Sequence, residues 1–449
     1  MSAEKRPQAP HEWARLAATL LCCLLVVACV GLVTPLLAEV QIQYFRHATE
    51  CALSAAGETA CASQAATAQG FSQSTSSLGT LLLAPYYGAQ SDKLGRGLFF
   101  RVGLVAQVVP FLMLGICLED LRPFYVLQAL SGFAPNNVAM FFTVLADLVS
   151  PSDRMQYFGL AVACFLGAFS IGAGLSAVLQ PAVGSGGLIR AGALFMTVFS
   201  LIAALLLPET LPQQREEEED EDPMPVVRSK SLARIIVRPA DTSNERLLHA
   251  IALIGLLSSI PEAGTPSIAL FYAKAHLHLS GQDVSALGAR MLCIVGLSGF
   301  LWQSVGLSAL RRICPNTLWI YQAALFTNML HMIGYLVAWA PWVIVANGLF
   351  AGGPLAQPTI LRGFVSQALP ANVQGYASGV LSGVEAACRV AGPALFSGLF
   401  LIGGQAGAPW LPWAFGMGLV VAGSLCAARH LDCHVAPEAS GPTERLLAA

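Results

Sequence analysis

What constrains this chain most is a succession of twelve apolar runs, each near the length of helix that a bilayer's hydrocarbon core demands. They fall at 16–40, 68–90, 98–117, 123–148, 156–180 and 187–207, then at 246–272, 284–310, 317–338, 341–364, 376–402 and 409–428. Charged residues make up 11% of the chain, against about a quarter in a soluble protein. A soluble enzyme, a disordered chain and a nucleic-acid binder are thereby excluded. The expected fold is an all-α integral membrane protein, with twelve transmembrane helices in two pseudo-symmetric six-helix bundles. The 68–90 run is the most polar, since Ser72 to Ser77 are all Ser, Gln or Thr, so it must face protein or water.

Lys and Arg set the orientation. With both termini in the cytosol, only Arg46, Arg122, Arg190 and Lys274 fall in opposite-side loops, and Arg290 and Arg389 lie inside helices. The chain then divides into a cytosolic start (1–15), a first bundle (16–207), a cytosolic acidic linker (208–245), a second bundle (246–428) and a cytosolic tail (429–449). The linker carries seven consecutive acids from Glu216 to Asp222, a solvated run that repels itself. The halves echo each other. A shift of 219 residues lays Leu130, Pro135, Pro151 and Tyr157 on Leu349, Pro354, Pro370 and Tyr376. Such internal repetition marks transporters. Cys51 and Cys61 share one polar loop on the non-cytosolic side, where a disulfide between them needs an oxidising compartment.

Between the second and third runs stands Gly88-Ala-Gln-Ser-Asp92-Lys-Leu-Gly95-Arg96-Gly97. Gly88 allows close helix approach. Asp92 sits where the positive end of a helix dipole favours an anion. Gly95 and Arg96 suit a tight turn bearing a cation. Together they make a conformational latch, with Arg101 or an opposing helix end as partner for the acid.

This loop resembles the signature of the major facilitator superfamily, with Gly97 in place of the final basic residue. Leu207-Pro208-Glu209-Thr210 and the Asp147, Pro151, Arg154 series resemble further family patterns. The likeness implies that Asp147 belongs to the latch. Within the superfamily the chain looks most like the hippocampus-abundant-transcript group, relatives of the tetracycline-resistance proton antiporters. Ser258-Ser-Ile-Pro-Glu262-Ala-Gly and Gly392-Pro-Ala-Leu carry that likeness. Gly172-Ala-Gly stands where drug antiporters carry Gly-Pro, and Gln128 stands where they carry Arg.

A charge at the bilayer centre costs about 2.5–3.5 kcal/mol on insertion scales, so each needs a partner, water or a task. Glu262 lies about 15 Å from a helix end at 1.5 Å per residue, among Pro261, Gly264 and Pro266, which predict a broken helix. It is a candidate proton-coupling and substrate site; the alternative is a packing kink. Glu385 and Arg389 share a helix face. They form either a self-neutralised pair or a cavity cation for an anionic substrate, with Glu385 holding it. Asn136, Asn137 and Gln357 are candidate substrate-binding amides. Trp339, Trp342, Trp410 and Trp413 read as an interfacial belt.

The expected activity is secondary active transport of a small organic solute by alternating access, coupled to protons in the manner of an antiporter. A uniporter, a sugar-like symporter and a non-transporting receptor or scaffold are the alternatives. No nucleotide-binding loop, catalytic motif or metal-ligand spacing occurs in the sequence, so no enzyme activity, cofactor or metal is expected. The expected partners are a small-molecule substrate, protons and the lipid bilayer, around a monomer, without nucleic acid.

Overall fold

The computed structural model describes residues 10–48, 57–148, 154–207, 243–314, 316–368 and 371–431. Cys51, the acidic segment and the extreme ends lie outside them. Every apolar run coincides with helix. The first half comprises α1 (Pro10–Ala48), α2 (Gly57–Leu94), α3 (Arg96–Ile116), α4 (Arg122–Ser131), α5 (Asn137–Leu148), α6 (Arg154–Val183) and α7 (Ser185–Leu206). The second comprises α8 (Ser243–Leu277), α9 (Gly281–Leu301), a π turn at Trp302–Gly306, α10 (Leu307–Ile313) and α11 (Thr317–Leu336). It continues with α12 (Pro341–Asn347), a 3-10 turn at Gly348–Ala351, α13 (Gly352–Ala368), α14 (Ala371–Gln405) and α15 (Leu411–Leu431).

Among the described residues, eight helical stretches are long and apolar enough to cross a membrane by length and composition. They belong to α1, α3, α6, α7, α8, α9–α10, α14 and α15. The four remaining runs fall short for readable reasons. Polar residues dilute α2 and α11, while the fourth and tenth runs are interrupted. Large apolar side chains such as Val178, Leu194, Leu205 and Ile313 project outward from the bundle, a surface suited to lipid rather than water.

The fourth run is not one helix. It stops at Ser131 and restarts at Asn137. Pro135 removes a backbone donor, and Asn136 caps the restart, its Oδ1 accepting from the N–H groups of Val138 and Ala139 at 3.0 and 3.2 Å. Gly132 ends α4 where α2 crosses it, and a Cβ there would lie 1.7 Å from the Ser76 carbonyl oxygen. Gly132→Val is therefore expected to abolish folding. Fluorescence-detected size exclusion should show aggregate in place of the monodisperse wild-type peak, and a normal peak would refute the crossing.

The break expected at Pro261 is absent, and α8 runs unbroken from Ser243 to Leu277. Hydroxyls bond to carbonyls along the stretch that contains the prolines. Thr265 donates to the Pro261 carbonyl at 2.8 Å and Ser267 to the Gly264 carbonyl at 2.6 Å. The aromatic belt also needs one correction. Trp339, Trp342 and Trp410 are exposed, but Trp413 is fully buried, stacked on Tyr335 at 4.0 Å and meeting Tyr272 edge-on. An offset pair of large rings fills the centre of the second half more effectively than it would serve a surface.

The end of α1 and the starts of α2, α7 and α9 define one face, called here the far face. The start of α1 and the end of α7 define the near face, where Arg15 and Arg101 donate to the carbonyls of Leu206, Ala204 and Leu207. The halves meet along α2–α14, α6–α9, α1–α9 and α2–α8. Ala38 and Ile42 of α1, with Ala62, Ala65 and Ala66 of α2, pack into the core of the second half. Midway, Ser170 of α6 donates to the Cys293 carbonyl of α9 at 2.6 Å. Among the described residues, a Cβ at Gly88, Gly159 or Gly379 would meet nothing within 4 Å.

Candidate functional site

The site grows out of one helix crossing. Gly264 of α8 and Gly392 of α14 face each other so closely that a Cβ on Gly392 would sit 2.9 Å from the Gly264 nitrogen. Small residues at a membrane crossing let two backbones touch. Glu262 lies two residues before Gly264 on α8 and Arg389 three residues before Gly392 on α14, and the two charges are within electrostatic reach of each other. Glu262 sits in the electrostatic field of both Arg389 and Glu385.

Glu385 is held by Arg362 of α13, whose Nη2 donates to its Oε2 at 2.7 Å. An ion pair this open to solvent contributes little stability by itself. Its consequence is positional, because it engages the carboxylate one turn from Arg389. Among the described residues, no hydrogen bond or salt bridge engages Arg389, and its side chain is exposed. The reading in which Glu385 and Arg389 neutralise each other is therefore replaced by an Arg362–Glu385 pair and an available Arg389.

Exposure of an arginine inside a membrane helix has a specific meaning here. Pro393 and Ser397 of α14 press on Gly70 of α2, where a Cβ would come within 2.4 Å of the Ser397 Oγ. Arg389 lies one turn before Pro393, hence on the same face. That face is the one α14 turns toward α2 of the other half. Gln69, Ser72 and Ser74 are buried, while Phe71, Leu78 and Leu82 point outward. Ser72 and Ser74 of the polar run thus face protein, whereas Thr75 is exposed.

The other candidate residues lie elsewhere. Asn137 donates to the side-chain carbonyl of Gln107 beside a cavity of about 140 Å³ within the first half, lined by Val26, Phe100, Leu104, Phe141 and Phe165. Asn136 caps α5. Gln357 is buried on α13 and donates to the Ala324 carbonyl at 3.3 Å. Neither joins the Glu262–Arg389 cluster in these contacts.

In the loop between α2 and α3, Gly95 adopts φ 101°, a conformation that L side chains rarely take, and Arg96 opens α3. Asp92 and Asp147 lie on the helical backbone of α2 and α5, and their side chains fall outside the description. Arg101 caps the end of α7. The close approach expected at Gly88 is absent among the described residues, where a Cβ would meet nothing within 4 Å. Cys61 is disulfide-bonded; Cys51 lies outside the described residues.

Two participants escaped the sequence reading. Arg362 was counted only as a cytosolic charge. Glu39 was absorbed into the first apolar run, although an acid near the end of a membrane helix is itself a signal. It is buried at the far face.

The residues match the family model of the Major Facilitator Superfamily over 16–393, and the chain belongs to that superfamily. It is 25% identical to human hippocampus abundant transcript 1 protein over 343 residues, covering 74% of this chain and 66% of that protein. The matched stretch is thus just under two thirds of the relative's own length. It is 26% identical to the class D tetracycline resistance protein of Salmonella ordonez over 329 residues, covering 71% of this chain and 76% of the other. Among solved structures, the human organic anion transporter MFSD10 superposes with a TM-score of 0.62 at 21% identity, covering 94% of this chain and all of that one. The nucleoside transporter NupG gives 0.67 at 11% identity, covering 96% of this chain and 100% of its own. At these identities the two structures establish the shared fold. An integral multi-pass membrane protein of a transporter family follows from the family and the helices.

Proposed function

We propose that this chain is a proton-coupled secondary carrier of a small organic anion, working by alternating access. The observation that carries the reading is Arg389, an exposed cation inside a membrane helix, on the face of α14 that meets α2 of the other half and within electrostatic reach of Glu262. A cation kept from a protein partner is suited to a substrate carboxylate or sulfonate. A carboxylate in its field can exchange a proton as the anion comes and goes. The excess of Lys and Arg on near-face loops makes that face cytosolic, with both termini inside. The halves are then joined at the outer side, where Glu39 of the first half accepts from Ser285 of the second. The structural relative named as an organic anion transporter carries cargo of the same charge class.

The test is uptake into proteoliposomes loaded with a pH-sensitive dye. Saturable accumulation of aromatic or aliphatic carboxylates, accompanied by proton movement, is the expected result. Transport restricted to neutral or cationic solutes, or binding without accumulation, would overturn it.

A further inference from the structure

At the far face, one carboxylate joins three helices from two halves. Glu39 of α1 is buried, and its Oε2 accepts from Ser185 Oγ at the start of α7 at 2.6 Å. The same oxygen accepts from Ser285 Oγ in the second turn of α9. Gln43 Nε2 donates to Oε1 at 3.3 Å. Ser185 belongs to the same half as Glu39, whereas Ser285 belongs to the other.

The backbone confirms how tightly the halves close here. A Cβ on Gly281, in the first turn of α9, would lie 3.2 Å from Glu39 Cγ and 3.3 Å from its Oε1. That glycine lets the start of α9 settle on the carboxylate. Beside it lies a cavity of about 100 Å³, lined by Glu39, Arg46, Lys274, Cys61 and Gly281. Lys274 is itself buried, its Nζ donating to the Leu279 carbonyl at 2.6 Å. A charged acceptor placed between two hydroxyl donors makes stronger bonds than a neutral one, and this one spans the line along which the halves must separate.

We propose that Glu39 is the latch of the far gate, holding the halves together through Ser285 and positioned for that bond by Ser185. Opening toward the far side breaks the Ser285 bond and lifts Gly281 off the carboxylate, while the Ser185 bond persists because both partners move together. The latch rests on the alternating-access reading, but its test reads conformation and needs no substrate.

The full chain in lipid nanodiscs is compared by hydrogen–deuterium exchange with its Ser285→Ala, Glu39→Ala and Ser185→Ala variants. Loss of a hydrogen bond to a charged group should speed exchange of the amides at 281–289 and 36–46 by about tenfold or more. Ser285→Ala and Glu39→Ala should act alike, and combining them should add nothing further. Ser185→Ala, which removes a bond within one half, should fall well short of either. Wild-type exchange in Ser285→Ala would overturn the latch. So would equal opening by Ser185→Ala. In either case the apolar packing of Ala38 and Ile42 would be what closes the gate. If Glu39→Ala does not fold, Ser285→Ala decides alone, since it removes one hydroxyl and leaves the carboxylate in place.

Discussion

Glu262→Gln is expected to abolish proton movement evoked by substrate in reconstituted vesicles while leaving substrate exchange measurable. Glutamine keeps the shape and an acceptor oxygen but cannot carry the proton. Coupling between two ligands is typically worth about 1–3 kcal/mol, so concentrative uptake driven by a pH gradient should fall by roughly 5–150-fold. Equilibrium exchange, in which labelled substrate enters against unlabelled substrate, needs no gradient and should survive. The comparison separates coupling from binding. If the variant still concentrates substrate and still moves protons, Glu262 is a packing residue and the coupling group lies elsewhere.

The second large effect is at Arg389. Its removal as Arg389→Ala should weaken binding of an anionic substrate by the value of one charge-assisted hydrogen bond, about 1.5–3 kcal/mol, or roughly 10–150-fold in affinity. Arg389→Lys should recover part of that loss, because a point charge attracts a carboxylate but lacks the two-pronged geometry of guanidinium. The check is competition for uptake by a series of carboxylates and their neutral amides. Wild type should prefer the acids and Arg389→Ala should lose the preference. An unchanged preference would remove Arg389 from the substrate site. Loss of all transport with a normal size-exclusion profile would leave the neutral amides to show whether the cavity still binds.

Much of the architecture was legible because bilayer thickness writes itself into run length. Each apolar run lies on helix, and Ser72 and Ser74 of α2 are buried. The interruptions were harder to read, since length and hydropathy do not distinguish a straight helix from one that stops and restarts. Asn136 looked like a mid-membrane amide, and only the local hydrogen bonds show it capping α5. Prolines misled in the opposite direction at α8, which stays helical through Pro261 and Pro266. Trp413 shows the limit of composition near a helix start, because its burial depends on Tyr272 and Tyr335, which arrive from distant sequence.

The charged site was partly legible for a related reason. Glu262, Glu385 and Arg389 stand out in any membrane helix, so their presence could be read. Their pairing could not. Spacing along α14 favours Glu385 with Arg389, whereas the fold brings Arg362 across from α13 and engages Glu385 first. Glu39 was hidden by averaging, as one acid in a run of 25 residues barely changes its hydropathy.

The glycine crossing of α8 and α14 bears on what moves during a transport cycle. Two backbones in direct contact, with no side chain between them to change rotamer, have little freedom to slide or rotate against each other. The distance from Glu262 to Arg389 should then stay nearly constant from one end of the cycle to the other. On the proposed function, the two charged groups would then act as one fixed unit of the second half, against which the facing surface of the first half would move. Selectivity between solutes would reside in this fixed pair, whereas the rate of turnover would be set by how readily the facing surface of α2 comes away from it.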